Sequence, residues 1–275
     1  MAVVDTDFVG ELLGSRKHAD LASRIYRLGD NLRTKLILES VKSSHTNTAL
    51  LFFFARSFKT YQAAITLVQT GYWQDAAALA RVLREADYQV RWLVKGGEKV
   101  AELFIRDYER NRRRIMRTLS EIAVPKIRSR AAKIVKSTQA DKELDEWWRN
   151  WWSKKGKEHI GWLAKQVGYT DAHRLEYGIL SAFVHSSPAL LNDYLRESDK
   201  GSVVLETRPG IAPENLSFAD AVVWTIFSAF LDVCRLFASQ LGFDFRKELS
   251  EIDERMQPVV RGLNGPGRKP KKTHK

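Results

Sequence analysis

Two runs of polar residues on otherwise apolar helical segments hold the side-chain types from which a reactive or binding site can be built. In Tyr72–Lys95, Leu79, Leu83, Ala86, Val90 and Leu93 define an apolar face, and Arg81, Arg84, Glu85 and Tyr88 fall on the other side. In Leu175–Pro188, Tyr177, Ser181 and His185 recur every four residues and stack on one side of a helix. A guanidinium can hold a phosphate or carboxylate, with Glu85 fixing its fork. His185 titrates near neutrality and can give or take a proton, with Ser181 one turn away as a hydrogen-bond partner. The competing readings are a structural Arg81–Glu85 ion pair and a histidine bonded to a backbone carbonyl. No acid on the same helix orients His185 as a hydrolase triad requires. The candidate catalytic set is therefore His185, Arg81, Glu85, Ser181 and Tyr177.

A second kind of chemistry is electrostatic. The chain has 275 residues and a net charge of +12. The segment Arg106–Lys136 carries 11 Lys/Arg against 3 Asp/Glu, and the tail Asn264–Lys275 carries 5 Lys/Arg and no acid. The remainder is nearly neutral, so the charge sits in two patches. Arg106, Arg110, Arg113 and Arg117 follow steps of four, three and four, and Arg112 and Arg114 add to them. Such a stripe can follow the phosphates of RNA or DNA without reading sequence, or it can be a solvated helix face. Trp148, Trp151 and Trp152 share another helical face. They suit a partner-binding or homo-oligomeric surface, or the core, and the lysines after them also admit base stacking.

The elements that must position these residues are helical. Only 7 prolines and 16 glycines interrupt the chain, and long uninterrupted periodic segments favour an all-α fold. About eight helices are expected. They include Ala19–Ser43 with a weak point at Gly29, Thr48–Thr70 and Tyr72–Lys95 closed by Gly96-Gly97. Glu98–Ser120, Lys126–Lys136 and Glu143–Val167 follow, and then Ala172–His185 capped by Thr170-Asp171, Phe218–Leu241 and Phe243–Val260. A shorter helix over Asp7–Leu13 precedes them, and Asp199–Asn215 is an irregular segment with room for a strand at Val203–Leu205. One domain over 1–261 is expected, with its core in about 48–95, 172–191 and 216–241, the basic arm 106–136 at its side and a disordered basic tail over 262–275.

Several classes are excluded. Gly-x-x-x-x-Gly-Lys-Ser/Thr and Gly-x-Gly-x-x-Gly are absent, which argues against nucleotide hydrolysis and dinucleotide binding. The six histidines are scattered and His-Glu-x-x-His is missing, so no metal and no cofactor are expected. Cys234, the lone cysteine, reads as a buried core residue of a protein in a reducing cytoplasm. Met1–Gly10 lacks the basic and apolar regions of a signal peptide. Ala219–Leu241 is interrupted by Asp220, Asp232 and Arg235, so a core helix is expected there and no membrane span.

The run Arg56-Ser-Phe-Lys, Gly71, Ala80-Arg81-Val-Leu-Arg-Glu85, then Tyr177 and Ser181-Ala-Phe-Val-His185-Ser-Ser-Pro188, resembles the prokaryotic helical family catalogued as domain of unknown function 5677. The resemblance covers about Leu50–Asn192. It implies that Arg81, Glu85, Ser181 and His185 belong to one cluster, and it implies no reaction. A more distant likeness is to HEPN, the helical superfamily of prokaryotic toxin and defence ribonucleases, whose members are similar small bundles, often dimeric, that cut RNA without metal. In that pattern an Arg precedes the His on one helix. Here Gly178, Ile179 and Leu180 stand in its place, so the likeness implies an arginine, Arg81 or Arg84, reaching His185 from another helix. Two functions follow as expectations: a nucleic-acid-associated binding or effector protein, with metal-independent RNA cleavage as its catalytic form, or a non-catalytic protein–protein scaffold.

Overall fold

The computed structural model describes residues 16–39, 41–122, 124–137, 159–184, 195–197, 203–205 and 216–263. Among these the chain is helical, apart from one small antiparallel ribbon. In chain order the elements are α1 (Arg16–Leu38), α2 (His45–Gln69), α3 (Trp73–Ile122), α4 (Pro125–Ser137), α5 (His159–Gln166) and α6 (Thr170–Val184). They continue with β1 (Leu195–Glu197), β2 (Val203–Leu205), α7 (Leu216–Leu241) and α8 (Arg246–Leu263). Leu195 pairs with Leu205 and Glu197 with Val203, so the short strand expected at Val203–Leu205 is present. The expected helix over Asp7–Leu13, the tryptophan segment and the tail beyond Leu263 lie outside the described residues.

The chain divides into two compact units. The first contains residues 1–40, 57–84 and 179–275, and the second contains 41–56 and 85–178. In the first unit, α7 and α8 both pack on α1. Its core takes Leu21, Ile25, Leu28 and Leu32 from α1, Tyr61 from α2, Trp73 from α3 and the rings of Phe227, Phe230 and Phe237 from α7. The apolar run of α7 is long enough to cross a membrane, yet 72% of its most apolar window is buried in the protein. Cys234 sits there fully buried, and burial raises its thiol pKa far above the ordinary value. In the second unit, Tyr88, Leu163 and Ala164 form a buried cluster, with Trp92, Ile160, Val167 and Tyr169 packed against it.

Two helix boundaries differ from the sequence expectation for identifiable reasons. Helix α1 ends at Leu38, short of the expected Ser43, and α2 begins at His45. Ser44 Oγ accepts from Asn47 N at 3.1 Å, while the Glu98 carboxylate accepts from His45 N at 2.7 Å and Thr46 N at 3.0 Å. Three of the amides that a helix start leaves without intrahelical partners are thereby bonded. Gly29 is no weak point, since α1 runs through it. The residue is small because Phe58 and Phe230 press on it: a Cβ there would lie 2.8 Å from Phe58 Cε2 and 3.1 Å from Phe230 Cζ. Thr170 does not cap α6 from outside; it is the first helical residue, and His173 N donates to Tyr169 O at 2.8 Å.

The expected breaks at Gly71 and Gly97 are real. At Gly71 φ is 83°, and the bonds Gly71 N to Val68 O and Tyr72 N to Leu67 O close α2. These satisfy carbonyls at the helix end in the paired arrangement that a left-handed residue permits. At Gly97 (φ 64°, ψ −155°) the backbone of α3 leaves helical geometry and then resumes it.

Candidate functional site

The polar side of α3 is more buried than an exposed stripe would be. Arg84 is 3% exposed, and Asp87 and Tyr88 are fully buried; Arg81 and Glu85 are half-buried. Nη2 of Arg84 donates to Ser228 Oγ at 2.7 Å, and Nη1 lies 3.6 Å from the Asp232 carboxylate. Asp232 also accepts from Arg235 at 2.7 Å, and Arg235 in turn forks onto Asp253 at 2.7 and 2.8 Å. This is a chain of alternating charges inside the first unit, linking α3, α7 and α8. Its inner end is buried and its outer end is exposed, so Arg84 acts as internal glue rather than as an open phosphate clamp.

On α6, Tyr177 and Ser181 are half-buried, and His185 falls just past Val184, outside the described residues. The helical ladder extends in the other direction instead. The ring of His173, one turn before Tyr177, lies 4.6 Å from the Tyr177 ring and 5.8 Å from that of Tyr88. Tyr88 lies 5.8 Å from Tyr169, and the Arg91 guanidinium sits 4.4 Å over the Tyr169 ring. Arg91 Nε donates to buried Asp87 at 2.8 Å. All six residues belong to the second unit. Sequence reasoning missed Asp87, Arg91 and His173 as members of a cluster. The available signal was the Arg84, Asp87, Arg91 spacing, which places opposite charges one turn apart.

The five candidate catalytic residues are thus distributed. Arg81 and Ser181 fall in the first unit, Glu85 and Tyr177 in the second, and His185 is not described. The described groups offer an aromatic and ionic cluster that orients side chains. Among the described residues, no three His, Cys, Asp or Glu side chains gather as a metal site needs. An open groove of about 400 Å³ in the first unit runs between α1 and α2, lined by Ala22, Ser23, Tyr26, Gln62, Ile65 and Thr66 among others, with no charged side chain in its wall. It is not built to hold an anion.

The basic segment lies wholly in the second unit. Within the stripe read from the sequence, Arg106 is half-buried and bonded to Glu102 at 3.3 Å. Arg113 is half-buried, with its Nε inside the protein and no hydrogen-bond partner there. The side chain of Arg110 is not described. Arg114 and Arg117 are exposed, and so is Arg112, which lies off the stripe. The exposed positive surface continues on α4 through Lys126, Arg128, Arg130, Lys133 and Lys136. Eight exposed bases therefore stand on two consecutive helices, displaced from the predicted line because Arg106 and Arg113 of that line are half-buried. Trp148, Trp151 and Trp152 lie outside the described residues.

Elsewhere in this unit, Glu98 shows how local electrostatics shape a carboxylate. It accepts the His45 and Thr46 amides, the Thr46 hydroxyl at 2.8 Å and pairs with His45 Nδ1 at 2.9 Å. The backbone amide bonds are the main reason its pKa falls to about 2.

Compared with known proteins, residues 47–202 match the model of the family of unknown function DUF5677. That span runs from the first turn of α2 to just before β2. No curated protein and no solved structure matches the chain, and nothing in these comparisons extends to the HEPN superfamily.

Proposed function

The chain belongs to the family of unknown function DUF5677, and from that premise we propose that it is a nucleic-acid-binding protein that docks through the exposed bases of α3 and α4. The observation that carries this reading is the run of eight exposed Lys and Arg side chains between Arg112 and Lys136, against one acid, Glu121, in the same stretch. Density of this kind attracts a polyphosphate backbone and releases its counterions. Guanidinium groups, five of the eight, also bond phosphate oxygens in pairs. Phosphate contact positions a protein on a duplex without choosing sequence, so binding is broad in sequence and steep in salt.

The test is fluorescence anisotropy with short labelled duplex DNA and RNA across a salt series. Each lost phosphate contact flattens the slope of log K against log salt by about 0.9. Arg112→Glu, Arg114→Glu and Arg117→Glu together are expected to flatten it by about 2–3 and to weaken binding uniformly across sequences. Wild-type protein that binds neither nucleic acid, or a triple variant that binds like wild type, sinks the proposal.

A further inference from the structure

We propose that the groove between α1 and α2 is a binding site for a small, uncharged aromatic amide, an inference that stands apart from the nucleic-acid reading above. The whole of its wall belongs to the first compact unit. On α1 the wall takes Ala19, Ala22, Ser23 and Tyr26, and on α2 it takes Gln62, Ile65, Thr66 and Gln69. Both sets are spaced i, i+3, i+4, i+7, so each helix presents one continuous face over two turns. The space exists because α1 offers only methyl groups at Ala19 and Ala22. Tyr61 also lines the groove, and its hydroxyl donates to Ala22 O at 2.8 Å, which ties the two helices together. Tyr61, Ala22 and Ile65 are buried, whereas Ser23, Thr66 and Gln69 are exposed and Gln62 is half-buried. The floor is therefore largely apolar and the rim polar.

The volume, about 400 Å³, is at the small end for ligand sites and takes a molecule of one or two rings. Three features select its chemistry. The first is charge. No charged side chain stands in the wall, and burial raises the pKa of the Tyr61 hydroxyl above its ordinary value, which keeps it neutral. An ion entering the groove loses water and gains no counter-charge, so the ligand is uncharged. The second is a braced ring. Tyr26 is 42% exposed, and its ring leans on Phe58 with centroids 5.5 Å apart and planes 42° apart. That makes a firm aromatic wall for a flat ring to pack on. The third is Gln62. Its side-chain amide carries donor and acceptor together and bonds to no described residue. A primary amide pairs with it through two hydrogen bonds, which a hydrocarbon cannot do. A ring against Tyr26 with its amide at Gln62 uses all three.

The experiment is an NMR titration of the full chain with four probes of similar shape: benzamide, benzoate, benzamidinium and toluene. Benzamide is expected to shift the Gln62 side-chain amide and the Tyr26 ring signals. It should bind about tenfold more tightly than either ion or toluene. Gln62→Leu is expected to weaken benzamide about three- to tenfold and to leave toluene unchanged. Ala19→Phe fills the mouth from an exposed position and is expected to abolish the shifts at Gln62. An unchanged thermal midpoint shows that each variant folds, and if Gln62→Leu lowers it, Ala19→Phe carries the test. Benzoate or benzamidinium bound as tightly as benzamide overturns the proposal. Toluene bound as tightly leaves only an apolar cavity and overturns it too. Benzamide binding that survives Ala19→Phe lies elsewhere on the protein, and no shift at millimolar benzamide means no site; either result overturns the assignment and leaves the nucleic-acid reading untouched.

Discussion

Replacing Gly29 with alanine decides whether the close packing of α1 is real. In an open helix interior, Gly→Ala stabilises by about 0.5–1 kcal/mol, because alanine loses less backbone freedom on folding. At Gly29 the added Cβ would meet Phe58 Cε2 at 2.8 Å, Phe58 Cδ2 at 3.0 Å and Phe230 Cζ at 3.1 Å. Neither ring can retreat easily. Phe58 and Phe230 stack with centroids 5.7 Å apart and planes 8° apart, and Tyr61 backs Phe230 at 4.7 Å. Overpacking of this kind costs about 1–3 kcal/mol, and with two ring atoms at or inside 3.0 Å the upper half of that range applies. The net expectation is a loss of about 1–2.5 kcal/mol. Gly178→Ala is the matched control: Gly178 lies inside α6, and nothing stands within 4 Å of its Cβ position. It should stabilise by about 0.5–1 kcal/mol. Urea denaturation followed by circular dichroism reads both. A Gly29→Ala variant as stable as wild type, or more so, refutes the packing argument, and two variants of the same sign show that the ring contacts decide nothing.

Arg84→Met removes a side chain that is 4% exposed, along with its bond to Ser228. Because Asp232 keeps Arg235 at 2.7 Å, the expected loss is about 2–3 kcal/mol, below the usual figure for stranding a buried charge; a loss under half of that in urea denaturation would show that Arg84 is not internal glue. The Glu98 carboxyl is depressed from 4.5 to about 2. A depressed acid contributes stability that is present above its unfolded pKa and is lost as pH falls through its folded pKa. Protection of the Thr46 amide from hydrogen exchange should therefore fade between about pH 4.5 and 2 in wild type. Glu98→Gln should remove that pH dependence, and an NMR titration placing Glu98 at its ordinary value would refute the assignment.

Most of the helical order is legible because apolar periodicity and glycine stops are local signals. Thr48–Thr70 and Phe218–Leu241 were expected within three residues of α2 and α7 at both ends, and Gly71 and Gly97 mark the breaks they should. What escaped depends on partners far away in sequence. Gly29 looks like a helix breaker until Phe58 and Phe230 are known to rest on it. The sequence pattern starts α2 at Thr48, and the three residues before it are helical because Glu98, more than fifty residues later, accepts from the amides of His45 and Thr46. Likewise, the polar side of α3 admits either a groove or a structural ion pair from residue type alone, and the burial of Arg84, Asp87 and Tyr88 depends on partners that the local pattern does not name. The basic arm was found by charge, but its exposed members differ from the helical line because Arg106 and Arg113 spend part of their length against the protein.

The interleaving of the two compact units has a practical meaning for anyone cutting the gene. Residues 47–202, the span matched by the family model, cut across the first compact unit. They keep Phe58 and Tyr61 but discard Phe230, Ala22 and Gly29, to which those rings are fitted. They also part α3 from Ser228 and Asp232. A truncation at the family boundaries would present an aromatic seam and a buried arginine to water, and its insolubility or inactivity would say nothing about the whole chain. The matched span and the first compact unit of this protein have different edges.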